Sequence, residues 1–158
     1  MLQFISLALI IVINQLVKRF NDMNTQELFD ASVNGIIEQN ALSVSENKIV
    51  GLRCFYRHPE SGLKCAVGQL IKDENYHRNF DDTEAATAGG GTGIGDRVDI
   101  QRGVEKSIGR ELKDDEIELL DLLQQTHDES GSVADFVLLA KELAKDFKLN
   151  VDNIKEVA

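Results

Sequence analysis

Tryptophan is absent from the 158-residue chain, proline occurs once, cysteine twice, and aromatic residues make up only 6%. Each scarcity excludes something. With few aromatics, the core must rest on Leu, Ile, Val, Ala and seven Phe. With Pro59 the only proline, long stretches are free to be helical. Cys54 and Cys65, with no export signal beside them, are too few for a disulfide scaffold and point to reduced thiols in a cytoplasm. Positive charge is short as well: 17 Lys and Arg stand against 27 Asp and Glu, giving a formal net charge of −10 and a pI near 4.7. A phosphate backbone repels such a surface, so direct nucleic-acid binding is not expected. The same charge suits a basic protein partner. The apolar fraction of 42% is ordinary and fits one domain with one core.

Long apolar runs are also lacking. The longest, LQFISLALIIVINQLV at residues 2–17, carries Gln3, Asn14 and Gln15, and a membrane helix needs about 20 apolar residues. Lys18 and Arg19 follow the run instead of preceding it, and no small-x-small cleavage site comes after, so the pattern is not that of a signal peptide. Three readings of residues 1–22 stand. The first is an apolar leader translated from upstream of a true start at Met23, since codons for Lys18-Arg19 can spell a ribosome-binding sequence at a suitable distance. The second is a membrane anchor, and membrane association follows only if residues 1–22 are genuinely translated. The third is a native helix. Residues 23–158 read as a single globular domain.

Asn24 and Glu27 form a capping-box signal ahead of a helical stripe of Leu28, Phe29, Ser32, Val33, Ile36 and Ile37, with Asn40 a suitable end. Residues 41–48 are polar and turn-like. Residues 49–57 have strand character, residues 58–62 are a turn by composition, and Leu63-Lys64 completes a short hairpin. A helix is expected from about Cys65 to Asp73. Residues 81–97 (DDTEAATAGGGTGIGDR) read as a flexible Gly-rich loop. Ile100, Val104 and Ile108 recur at helical spacing. Asp114-Asp115-Glu116 puts negative charge at the start of a further helix bearing Ile117, Leu119, Leu120, Leu122 and Leu123. Ser132 and Asp135 precede a last stripe of Val133, Phe136, Val137, Ala140, Leu143, Ala144 and Phe147. A short tail helix follows residues 149–152. The fold class is therefore α+β, predominantly α: a helical domain with one small β-hairpin.

Candidate chemistry centres on residues 52–76. Cys65 at a helix N-terminus would gain thiolate character, and His127 with Asp128, or His58 or His77, could serve as base. Against that stands a buried cysteine acting as a small hydrophobe beside Ala66 and Val67, the weightier reading. Cys54, His58, Cys65 and His77 supply four zinc-type ligands but lack the tight C-x2-C pairs of a zinc module, and no cofactor is expected. Tyr56, Arg57 and Lys64 could hold a small anionic ligand; structural pairing of Arg57 and Lys64 with Asp73 or Glu74 is the simpler account. The glycine run at residues 89–95 lacks the Gly-Lys-Ser/Thr ending of a phosphate loop.

Cys54-Phe55-Tyr56-Arg57, Gly62, Lys64-Cys65-Ala66-Val67-Gly68, Leu70-Ile71 and Asp73 to Tyr76 form a pattern of their own. It resembles that of a family of small uncharacterised phage, prophage and bacterial proteins, written C-x-Y-R, a turn with Gly, then K-C-A-x-G-x-L-I-x-D-x-x-Y. A later L-Q-x-x-H-D matches Leu123-Gln124 and His127-Asp128, and the resemblance covers most of residues 23–149. Lys72 stands where that family usually has Pro, Gln69 where it often has Cys, and the Gly-rich loop replaces a shorter segment. The resemblance supports the fold and assigns no mechanism; together with small size, strong acidity and the lack of a coherent catalytic set it leads to the expectation of a phage- or prophage-type accessory protein in the cytoplasm. The expected function is binding of a host or phage protein. A thiol-dependent enzyme or small-ligand binder centred on Cys65 is the alternative, and a structural zinc module a weaker one.

Overall fold

The computed structural model describes residues 23–47, 51–81 and 94–157. Four α-helices dominate them: α1 (Thr25–Gln39), α2 (Val98–Ile108), α3 (Asp114–Glu129) and α4 (Val133–Asp146). α1 begins at a full capping box, in which Asn24 Oδ1 accepts from Glu27 N–H at 3.0 Å and Glu27 Oε2 accepts from Asn24 N–H at 2.7 Å. All six residues of its expected stripe are buried. Asn40 ends it in the left-handed region at φ 50°, where its N–H still reaches the carbonyls of Ile36 and Ile37. In α2, Ile100, Val104 and Ile108 face the core. α3 buries Leu119, Leu120 and Leu123, whereas Ile117 and Leu122 are only partly covered. Ser132 caps α4, accepting from Asp135 N–H at 3.1 Å. α4 packs on α1 and α3, and these faces share one apolar cluster with residues 65–71.

The β structure and the connecting segments depart from the sequence-based expectation in four places. First, β1 (Val44–Asn47) pairs antiparallel with β2 (Gly51–Cys54), with Val44 opposite Cys54 and Asn47 opposite Gly51. Residues 44–47 had the composition of a turn, but a backbone ladder between polar residues needs no apolar face to form. The expected hairpin across residues 58–62 reduces to a turn with a single bridge, Arg57 to Lys64. Second, no α-helix runs from Cys65 to Asp73. Two 3-10 turns, Gly68–Leu70 and Asp73–Asn75, take its place. Side chains of α1 hold this backbone, Gln39 at Lys64 and Ser32 at the Ala66 carbonyl, and Gly68 passes so close to Tyr56 that an added Cβ would sit 2.0 Å from its carbonyl oxygen. Third, the expected Gly-rich loop at 81–97 is structured at both ends. Asp81 is bonded to the chain at residues 56–57, and Ile94–Asp96 forms a 3-10 turn with Ile94 wholly buried; residues 82–93 lie outside the described residues, as do residues 1–22. Fourth, the tail forms no helix. It runs along α1, with Asn150 and Gln26 exchanging hydrogen bonds at 2.8 Å, Lys155 N–H donating to Asn34, and Ile154 buried. Among the described residues no helix is long and apolar enough to cross a membrane.

The starts of α1 and α3 are joined by a buried ion pair. Arg110 grips Glu116 with both terminal nitrogens at 2.7 Å each, while Thr25 Oγ1 (2.9 Å) and Lys113 N–H (3.0 Å) donate to the same carboxylate. Arg110 also donates to the Met23 carbonyl. Burial alone would raise the Glu116 pKa, but these bonds outweigh it and hold the group at about 2, below its usual 4.5. A depressed pKa stabilises the fold in full above about pH 4.5, and that contribution is lost as pH falls toward 2. Glu116→Gln should therefore lower the unfolding free energy by about 2–3 kcal/mol at neutral pH. Urea titrations should show variant and wild type converging as pH drops from 4.5 to 2; a constant difference across that range would show that the charge carries none of the effect.

Candidate functional site

His127 lies at the last turn of α3 with no exposed surface. Its Nε2 accepts from the backbone N–H of Ser43 at 3.2 Å, which fixes the neutral ring with its proton on Nδ1. Nδ1–H donates to Asp128 Oδ1 at 3.0 Å. Gln124, one turn earlier, donates to the same oxygen at 2.7 Å and accepts from Val67 N–H at 3.2 Å. Cys54, at the end of β2, completes the group, its Sγ within 4.8 Å of the His127 and Asp128 donor atoms. One helix end thus joins β2, the Ser43 backbone and the irregular segment at Val67. The His127 ring also stands edge-on to Phe136 of α4, 6.0 Å between centroids.

The expected catalytic and metal residues are distributed differently from either list. Cys54, His127 and Asp128 come together, with one donor atom of each within 4.8 Å of the others. His58, Cys65 and His77 are not in that group. His58 organises the turn after it, accepting from Glu60 N–H and Ser61 N–H at 3.3 and 3.2 Å, and stacks edge-on to Phe55. His77 is exposed and lies 6.0 Å from the Phe80 ring. Cys65 is fully buried in the core cluster, and its Sγ accepts from Gly68 N–H at 3.3 Å. The α-helix N-terminus expected to activate it is not there. Burial pushes the Cys65 thiol well above its ordinary range, with the Gly68 bond only partly opposing. Burial, then the Asp128 carboxylate, pushes the Cys54 thiol up as well.

The expected anion site at Tyr56, Arg57 and Lys64 is split. Tyr56 is half-buried against the core, and burial raises its pKa. Arg57 and Lys64 both reach Asp73 Oδ1, at 2.8 and 3.4 Å, and the Arg57 guanidinium lies over the Tyr76 ring, 4.4 Å from its centroid. Lys64 first and Arg57 second lower the Asp73 pKa. The structural pairing weighed in the sequence is the one observed.

Ser43, Gln124 and Asp81 were not singled out from the sequence, although each holds this region together. A signal existed for Gln124. In the L-Q-x-x-H-D pattern, Gln124 lies three and four residues before His127 and Asp128, which is one helix face. Nothing local marked Ser43, since the Ser43–His127 contact spans 84 residues.

Protonated, enclosed thiols should be unreactive. With iodoacetamide at neutral pH, Cys65 should be alkylated at least about 100-fold more slowly than a free thiol, with half-buried Cys54 intermediate. Peptide mass mapping reads both rates, and a Cys65 rate at or above that of free cysteine would reinstate an activated nucleophile. Searches of protein families, of curated proteins and of solved structures find no match to this chain.

Proposed function

We propose that this chain is a non-enzymatic accessory protein of phage or prophage type that acts by binding a basic protein partner. The observation that carries the reading is the outer face of α4. Asp135, Leu138, Leu139, Glu142 and Asp146 recur at helical spacing and are all exposed. Leu138 is 62% and Leu139 46% exposed, the large apolar side chains most open to water on that helix. Around the two leucines lie Asp135, Glu142 and Asp146 together with Lys141 and Lys145, the last paired with Glu142 at 2.6 Å; on a chain of net charge −10 this face fits a partner surface with an apolar recess and a mainly basic rim. The thiol chemistry argues the same way, since neither cysteine is set up as a thiolate at neutral pH.

The full chain, used as bait in a bacterial host lysate at near-physiological salt, should recover a basic protein. A Leu138→Asp, Leu139→Asp double variant should lose at least about tenfold of that binding while keeping wild-type helicity. Raised salt should weaken the wild-type complex. Capture that is unchanged in the double variant would remove α4 from the interface, and recovery of no partner would sink the binding reading.

A further inference from the structure

Two distant parts of the chain, the end of β2 and the end of α3, deliver a thiol, an imidazole and a carboxylate to one point. We propose that Cys54, His127 and Asp128 form a binding site for a single thiophilic divalent ion of the zinc class. Their donor atoms lie within 4.8 Å of one another, and His127 Nδ1 already stands 3.0 Å from Asp128 Oδ1. A tetrahedral zinc ion holds its donors about 3.3–3.8 Å apart, so the widest pair must close by at most about 1 Å while Nδ1 and Oδ1 open slightly. The donor set selects the metal: thiolate and imidazole favour zinc over magnesium or calcium. Thiolate and carboxylate together balance the 2+ charge. Three protein ligands leave the fourth position to water, and Asp128, with its side chain 41% exposed, opens the site to solvent on that side. Gln124, fixed by Val67 N–H, orients the Asp128 carboxylate as carboxylate ligands usually require.

The proton balance is defined. Before binding, Cys54 carries its thiol proton, and the His127 ring proton sits on Nδ1. Binding releases the Cys54 proton to solvent and moves the ring proton to Nε2, so Nδ1 becomes a ligand and Ser43 N–H loses its acceptor. Two hydrogen bonds, Ser43 to His127 and His127 to Asp128, are given up for the metal–ligand bonds, and Ser43 N–H, now facing Nε2–H, must turn away. Binding at this site therefore reports directly at Ser43, which immediately precedes β1.

Cobalt(II) added to the reduced full chain should bind one ion per chain and give a near-ultraviolet thiolate-to-cobalt band that zinc displaces. Cys54→Ser should abolish the band, Asp128→Asn should weaken cobalt binding by about 10-fold or more, and Cys65→Ser should leave it intact. On the unaltered protein, zinc should shift the Ser43 amide and His127 ring NMR signals together. No thiolate band, a band that survives Cys54→Ser in folded protein, or Ser43 and His127 signals unmoved by zinc would each overturn the site.

Discussion

Buried irregular backbone is the constraint on which this structure depends. Cys65, Ala66 and Val67 sit in the core ahead of the 3-10 turn at Gly68, yet they belong to neither a helix nor a strand. Buried N–H and C=O groups must find partners, and a segment without a regular ladder has to borrow them from side chains. The helices lend them. Ser32 of α1 donates to the Ala66 carbonyl at 2.7 Å, Gln39 bonds both the N–H and the C=O of Lys64, and Gln124 of α3 accepts from Val67. Asp81 accepts from the N–H groups of Tyr56 and Arg57, and Ser107 of α2 accepts from Lys72. Ser43 and His127 close the same network from the side of the β structure.

That arrangement explains why polar residues interrupt otherwise apolar helix faces. Ser32, Ser107, Gln124 and His127 are buried among Leu, Ile and Phe. Each would be costly if unpaired, and each is instead bonded to backbone from the irregular segment or from the stretch before β1. Glu116 serves the same end electrostatically, tying the first turn of α3 to the start of α1 through Arg110 and Thr25. The residues that look most like chemistry in the sequence are therefore also the residues that fasten the elements together. The outer face of α4 makes none of these bonds, and Leu138 and Leu139 stay exposed there.

The helices were legible in the sequence because apolar periodicity and capping chemistry are local. The α1 stripe and its Asn24–Glu27 box, the α2 triplet, and the Ser132 cap of α4 all follow from residues within a few turns of one another. The strand Val44–Asn47 was illegible, since polar residues form a ladder as readily as a turn and the choice is made by a partner strand. Residues 65–73 misled for a related reason. Their composition suits a helix, but Gly68 is pressed against the Tyr56 carbonyl, a contact that no local pattern announces. The candidate site was half legible. The burial of Cys65 beside Ala66 and Val67 was the weightier sequence reading, but the pairing of Cys54 with His127 and Asp128 required the fold.

Amide hydrogen exchange, resolved by residue at neutral pH, tests the central constraint most directly. If side chains from the helices and from Asp81 secure the irregular segments, the amides of Tyr56, Lys64 and Val67 should exchange only through global unfolding, as slowly as the buried core of α3. Gln124→Ala should then speed exchange at Val67 selectively. Loop-like exchange of these three amides in the wild-type protein would contradict the account.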